Sequence, residues 1–355
     1  MQKIENLNKN IVKTKWVPTP EEIKNIYPCH NDLKTQIYTS RNFITNIIKG
    51  NDNRFLLICG PCSIHDYMAA LDYANRLKNI ADKFKDKLYI VMRVFLEKPR
   101  SITGWKGFIN DPYMNNSFDI EYGLRTARQL LLEIAKLGLP IATEILNIYT
   151  TQYLADLLSW VAIGARTVES QPHREIASGL SMPIGFKNST NGNYYTAINA
   201  MVASSRSHHF LGINNNGRIC LWETSGNHNG HMILRGGNGK SNYKHEIITK
   251  CQIAMKEAGL HPALMIDCSH DNSKKQYLVQ PKIAKYVVKQ RIKGNKAIIG
   301  LMIESNINEG NQSFELPDSE KRYGVSLTDA CINWHTTENL IKDIYQELLV
   351  KDGII

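Results

Sequence analysis

The sequence predicts an α/β protein: a (β/α)8 TIM barrel with an N-terminal extension and an inserted β-hairpin near the sixth strand. Two observations carry this. From residue 54 onward, short apolar runs alternate with amphipathic segments, the rhythm of buried parallel strands joined by helical crossovers. In addition, consecutive runs end abruptly in a cation: VAIGA (161–165) delivers Arg166 and IGF (184–186) delivers Lys187, with the amphipathic HREIASGL between them. In a parallel α/β fold the C-terminal strand ends lie side by side and form the ligand-binding edge, so these two cations mark a site for phosphate or carboxylate.

Taken in order, residues 1–50 mix Lys, Asn and Pro with amphipathic fragments (EEIKNIY, RNFITNIIKG), the texture of an extension that packs on a neighbour and makes oligomer or effector contacts. Residues 51–355 read as one catalytic barrel, since no Gly-Ser linker, repeat or low-complexity tract divides them. FLLICG, the helical YMAALDYANRLKNIADKF and LYIVMRV give strand, helix, strand. EYGLRTARQLLLEIAKLG, stopped by Gly138, leads into PIATEIL, then TQYLADLLSW and the pair of runs above. HHFLGI (208–213) is the sixth strand candidate. The following NNNGRICLWETSGNHNGHMILRGG carries turn signals at Asn216-Gly217 and Asn229-Gly230, which predict an inserted antiparallel hairpin. ALMIDCS and AIIGLMIES, each preceded by a helical segment, complete eight strands.

The chain has 355 residues, 43% of them hydrophobic, enough for a large core. Its net charge of +10 raises nucleic acid as a partner, but no run of consecutive Lys or Arg exceeds two, so RNA binding is only the non-enzymatic alternative. Seven cysteines, an odd number set mostly in apolar runs, fit a reducing compartment and a cytoplasmic protein. No apolar stretch reaches the ~18 residues that span a bilayer, so no membrane association is expected.

A barrel demands that the polar residues after each strand converge. Here they are Cys62, Arg93, Glu144, Arg166, Lys187, Arg235, His270 and Glu304. The chain holds 29 lysines against 14 arginines, yet three arginines occupy this set, as a planar fork for carboxylate and phosphate requires. An anionic substrate with at least two acidic groups follows. Cys62, His270, Glu304 and Asp329 combine thiolate, imidazole and carboxylate, a set suited to Fe, Zn, Mn or Co rather than Ca or Mg. Each alone reads as a buried thiol, a core histidine or a salt-bridge carboxylate; together, at strand ends, they read as one divalent metal site per subunit. Cys59 and Cys268 are expected in the core, and His65 is expected to be structural.

GPCSIHD, MRVFLEKPR, GWKGFINDP, GARTVESQPHREIASGLSMPIGFKN, HMILRGG, MIDCSH, GLMIESNINEGNQ and YGVSLTDACINW, in this order over residues 40 to 340, resemble the type I DAHP synthases. The resemblance implies condensation of phosphoenolpyruvate with D-erythrose 4-phosphate to 3-deoxy-D-arabino-heptulosonate 7-phosphate and phosphate, the entry step of the shikimate pathway. It matches Cys62, His270, Glu304 and Asp329 to the metal ligands. Arg93, Lys98, Ala165, Arg166, Lys187 and Arg235 match the phosphoenolpyruvate site, and Lys98, Pro99, Arg100 and Ser101 the segment that meets erythrose 4-phosphate. Glu144 and His270 are alternative groups for activating water. A related barrel using arabinose 5-phosphate is the alternative enzyme, disfavoured by the GWKG and NDP segments. The chain departs from the family's pattern at Ser101, where Thr is usual, and at Ile102-Thr103, so weaker positioning is expected there.

The family also implies a homo-oligomer, dimer or tetramer, and an effector pocket. Ser181 and Gly212 match the tyrosine-sensitive type, whereas Asn147 and Thr151 stand where Asp and Pro are usual. Tyrosine is therefore the expected effector, with weak or absent inhibition, because losing Pro adds entropy to a loop that effector must order.

Overall fold

The computed structural model describes residues 10–351; residues 1–9 and 352–355, parts of the expected extension and barrel, lie outside the described residues. Its elements in chain order are α1 (Pro20–Ile26), α2 (Asn31–Lys49), β1 (Phe55–Gly60), α3 (Tyr67–Lys83), β2 (Leu88–Arg93), α4 (Ile120–Lys136), β3 (Ile141–Ile145), α5 (Thr151–Leu154), β4 (Trp160–Ile163) and α6 (Gln171–Gly179). They continue with β5 (Ile184–Lys187), α7 (Tyr195–Ser204), β6 (His209–Ile213), β7 (Ile219–Glu223), β8 (Gly230–Leu234), α8 (His245–Glu257), β9 (Leu264–Asp267), α9 (Gln280–Ile292), β10 (Ile298–Glu304) and α10 (Trp334–Lys351).

Eight strands close into a barrel in the order β1-β10-β9-β8-β5-β4-β3-β2, all paired parallel. Both faces of each strand are covered, which is why the strands read as continuous apolar runs. Leu56 and Ile58 point into the barrel while Leu57 and Cys59 face the helical layer, the two-residue period of a strand. Inside, Trp160 Nε1 donates to His231 Nε2 over 2.9 Å; burial pushes the imidazole down to about 4 and keeps it neutral.

Helix α2 forms the floor. Its Ile44, Ile47 and Ile48 join the same cluster as the inward residues Leu56, Val91, Trp160, Ile233 and Met265. Gly50 at φ +76° ends the helix in the left-handed region that glycine takes without strain. Residues 20–49 of the extension thus pack on the chain's own barrel. Arg128 of α4 fastens them: fully buried, it donates to the carbonyls of Tyr27 and Tyr153 and pairs with Asp156 at 2.7 Å.

The sixth barrel strand is β8, not HHFLGI. That segment forms β6 and pairs antiparallel with β7 in a separate two-stranded sheet, Gly212 opposite Cys220. The physical reason is its alternating exposure: Leu211 is 72% exposed while Gly212 is buried, a one-sided pattern that a barrel strand cannot carry. The tight turn falls at Asn216-Gly217, with Gly217 N–H donating to Asn214 O at 3.0 Å, whereas Asn229-Gly230 leads directly into β8.

Candidate active site

The C-terminal strand ends bring the expected cations and acids together. Arg93 ends β2 with 1% exposure and donates to Glu304 Oε1 at the end of β10, 2.9 Å away. It also donates to the carbonyls of Pro61 and Cys62, and its guanidinium lies 3.5 Å over the Phe95 ring. A buried cation held by so many fixed acceptors keeps one geometry. Lys98, in the loop after β2, donates from Nζ to Cys62 O at 3.1 Å and to Cys62 Sγ at 3.2 Å. Burial pulls its ammonium down, but the Cys62, Glu304 and Glu144 charges outweigh that and hold it above the ordinary lysine value.

Lys187 ends β5 and donates to Asp267 Oδ2 at 3.0 Å; Arg235, just beyond β8, reaches Asp271 Oδ2 at 2.9 Å. Arg166 is exposed and donates to Ser101 Oγ at 3.3 Å, joining the β4 end to the loop after β2. Arg100 turns away, its Nε donating to Trp105 O at 2.7 Å, while Pro99 and Ala165 are half-buried beside these cations in sequence. Glu144, one residue before the end of β3, lies next to Gly164, where an added Cβ would meet Glu144 Oε1 at 2.2 Å: glycine in the GAR segment leaves the room this carboxylate occupies.

Cys62, Glu304 and Asp329 place one ligand atom each within 4.8 Å of one another. His270 stands at the edge of this group. Its Nε2 is 3.9 Å from Glu304 Oε1, and its Nδ1 is 2.9 Å from Asp267 Oδ2. The residues fit a divalent ion on an internal criterion: Glu304 Oε2 is buried without a hydrogen-bond partner, while Oε1 is taken by Arg93. Burial pushes the Cys62 thiol up, Glu304 adding to it, so a cation is what would make the thiolate available. Asp329 is held below the usual carboxylate range, His270, Lys98 and Lys275 outweighing burial.

Two acids that the strand pattern did not single out complete the site. Asp267 is fully buried between Lys187 and His270. Glu97, 4% exposed, accepts from Thr150 Oγ1 at 3.0 Å and Asn147 N–H at 3.4 Å, leaving Oε1 unpartnered; burial pushes it up to about 7. Gly107 lets the following loop close over Glu97, since a Cβ there would lie 2.6 Å from Glu97 Cα. The signal for both was present in MIDCSH and FLEKPR, as an acid inside an otherwise apolar run.

The residues expected around an effector do not share one wall. Ser181 lines a pocket of ≈ 680 Å³ with Leu221, Trp222 and Glu223 of the hairpin. Gly212 lies behind Trp222, whose ring a Cβ would meet at 2.7 Å. Asn147 and Thr151 belong to the turn that touches Glu97, Thr151 donating to Ile148 O at 2.7 Å.

Residues 27–342 match the model of the DAHP synthetase I family. The chain is 55% identical over 348 residues, 98% of both chains, to "Phospho-2-dehydro-3-deoxyheptonate aldolase, Tyr-sensitive" of Escherichia coli (strain K12). The corresponding Phe-sensitive protein of that organism is 46% identical over 98% of this chain and 99% of its own. Among solved structures, that of phospho-2-dehydro-3-deoxyheptonate aldolase from Francisella tularensis SCHU S4 superposes with a TM-score of 0.94 at 44% identity, covering 96% of this chain and 99% of that one.

Proposed function

The chain belongs to the DAHP synthetase I family, and on that premise we propose how its own residues carry the reaction. The enzyme condenses phosphoenolpyruvate with D-erythrose 4-phosphate and water to 3-deoxy-D-arabino-heptulosonate 7-phosphate and phosphate, the first step of the shikimate pathway. The observation that carries the assignment of roles is that Arg93 and Lys98 bond directly to Glu304 and Cys62 of the group completed by Asp329, while Lys187 and Arg235 pair with Asp267 and Asp271 on either side of His270 in the chain.

Arg93, Arg166, Lys187 and Arg235 bind the carboxylate and phosphate of phosphoenolpyruvate, and the loop from Lys98 to Ser101 receives erythrose 4-phosphate. Cys62, His270, Glu304 and Asp329 hold one divalent ion of Fe, Mn, Co or Zn per subunit, which when bound supplies Lewis acidity for the aldehyde. As C3 of the enol attacks the aldehyde carbon, Lys98, kept as ammonium, protonates the aldehyde oxygen. The cationic character left at C2 takes up water, and the hemiketal phosphate expels phosphate by C–O cleavage. Lys187 and Arg235, pre-oriented by Asp267 and Asp271, stabilise the departing charge. We assign water activation to Glu144 in preference to His270, whose two nitrogens already face Asp267 and Glu304.

Among the described residues no helix is long and apolar enough to cross a membrane, in keeping with a cytoplasmic enzyme. A homo-oligomer, dimer or tetramer, is supported by Val12 and Trp16, more than 90% exposed, and by a hairpin whose Leu211 and Ile219 are also exposed. The extension reaches that hairpin in the same chain, Glu21 N–H donating to Asn215 O at 2.8 Å. Tyrosine is the proposed effector, at the pocket lined by Ser181. Incubating metal-free protein with both substrates and each single divalent metal, while following loss of the enol absorbance, tests the reading. No turnover with any of the four metals overturns it.

A further inference from the structure

Asp267 carries more than its place in the core requires. Oδ1 accepts from Ser269 N–H at 3.0 Å and Ser269 Oγ at 2.7 Å, which fixes the plane of the carboxylate. Oδ2 then faces two donors of different sites: Lys187 Nζ at 3.0 Å and His270 Nδ1 at 2.9 Å. Lys187 belongs to the proposed phosphoenolpyruvate site and His270 to the metal site. Nδ1 also lies 2.8 Å from Ser269 Oγ, whose own proton goes to Asp267 Oδ1, so Nδ1 carries the hydrogen and shares it between Ser269 Oγ and Asp267 Oδ2; Nε2 then carries the lone pair and is turned towards Glu304, 3.9 Å away.

We propose that Asp267 is a positioning residue that couples the two halves of the site, its single Oδ2 transmitting occupancy of Lys187 to His270; this rests on the function proposed above. A phosphate or carboxylate arriving at Lys187 claims part of the ammonium. Oδ2 then shares less of its charge with Lys187 and binds Nδ1–H more strongly, which makes Nε2 the better metal donor. Linkage makes the effect reciprocal: metal tightens phosphoenolpyruvate by the same factor that phosphoenolpyruvate tightens metal. No other acid among the described residues is within ion-pair distance of both groups.

The test is Co2+ titration of metal-free protein by calorimetry, with and without saturating phosphoenolpyruvate, in the parent and in Asp267→Asn. The parent gains about fivefold or more in Co2+ affinity from phosphoenolpyruvate. Asp267→Asn binds Co2+ about 10- to 100-fold more weakly, and the gain falls towards one. An equal gain in both proteins overturns the coupling while leaving the proposed function standing; failure of the parent to bind either ligand overturns both. Should Asp267→Asn not fold, the parent decides alone. In metal-free protein carrying 15N-histidine, with the His270 signals assigned by their loss in His270→Gln, phosphoenolpyruvate shifts the Nδ1–H resonance. An unmoved resonance at saturation overturns the proposal.

Discussion

The mouth of the barrel and the hairpin edge depart from ordinary burial in opposite directions. At the mouth, Arg93, Lys187, Asp267 and Glu304 are charged and at most 3% exposed. At the edge, Leu211, Ile219 and Leu221 are apolar and at least 68% exposed. A buried charge is tolerated only where fixed partners or a ligand compensate it, and each of these four has a partner. An exposed apolar face is a surface awaiting cover. On the function proposed above, the difference separates two roles: chemistry at the mouth, where geometry is over-determined, and assembly or control at the edge, where it is left open.

The largest expected effect falls at the mouth. Cys62→Ala removes the one soft ligand of the group formed with Glu304 and Asp329. Metal content and turnover should be lost together, with the circular dichroism spectrum unchanged, because a thiol this small contributes little to packing. Full activity in metal-free Cys62→Ala protein would break the contrast at its stronger end.

Glu97 precedes Lys98 of the mouth, and the turn carrying Asn147 and Thr150 ends on its carboxylate. Burial raises its folded pKa from 4.5 to about 7. The folded protein therefore holds a proton that the unfolded chain releases above about 4.5, so this group's contribution to stability is full below that value. Stability falls by about 3 kcal/mol as pH rises through this window and is level above about 7. Glu97→Gln should flatten the thermal midpoint between pH 5 and 7 and be the more stable protein at pH 8. A parental midpoint that rises over the same range would contradict the sign.

Much of the mouth was legible in the sequence, for a geometric reason. A barrel strand places its last residue at the ligand face, so Arg93, Lys187 and Glu304 announced themselves by ending apolar runs. Asp267 escaped because MIDCSH continues through Cys268 and Ser269, and the acid passed for part of the run although it is the last residue of β9. The edge was harder to read. Single-sided burial gives HHFLGI enough apolar character to pass for a barrel strand, and only its pairing with β7 shows that the alternation is that of a hairpin. The effector residues depend on contacts between separate loops. Nothing in the spacing of Gly212 and Trp222 says that the ring fills the space beside the glycine.

Arg166 sharpens the comparison from within the mouth, being exposed where the other cations are buried. Its single donor contact is to Ser101 Oγ, leaving the rest of the planar fork to bind anion. Arg166→Lys should weaken phosphoenolpyruvate binding by about 1–3 kcal/mol, the worth of a charge-assisted hydrogen bond, with the fold intact. Calorimetry that finds unchanged affinity would transfer the anchoring to Lys187 and Arg235 alone.

The smallest effect is expected at the turn of residues 147–151 beside Glu97. Thr151 opens α5, where the missing N–H of a proline would be harmless, but Thr150 before it sits at φ −63°, ψ −21°, a region that a following proline disfavours. Without the ring the loop loses more entropy on ordering, about 0.4–1 kcal/mol, or roughly two- to fivefold in effector affinity. Tyrosine should inhibit more than phenylalanine, and only weakly, while Thr151→Pro should tighten tyrosine by less than that factor, because strain at Thr150 offsets part of the entropy gained. Turnover measured over a range of both amino acids decides it. Strong phenylalanine inhibition would reject the effector assignment. Tight tyrosine inhibition of the parent would show that the turn at 147–151, loose as its sequence is, is ordered by contacts with Glu97 before any effector arrives, and that this turn is as well determined as the mouth.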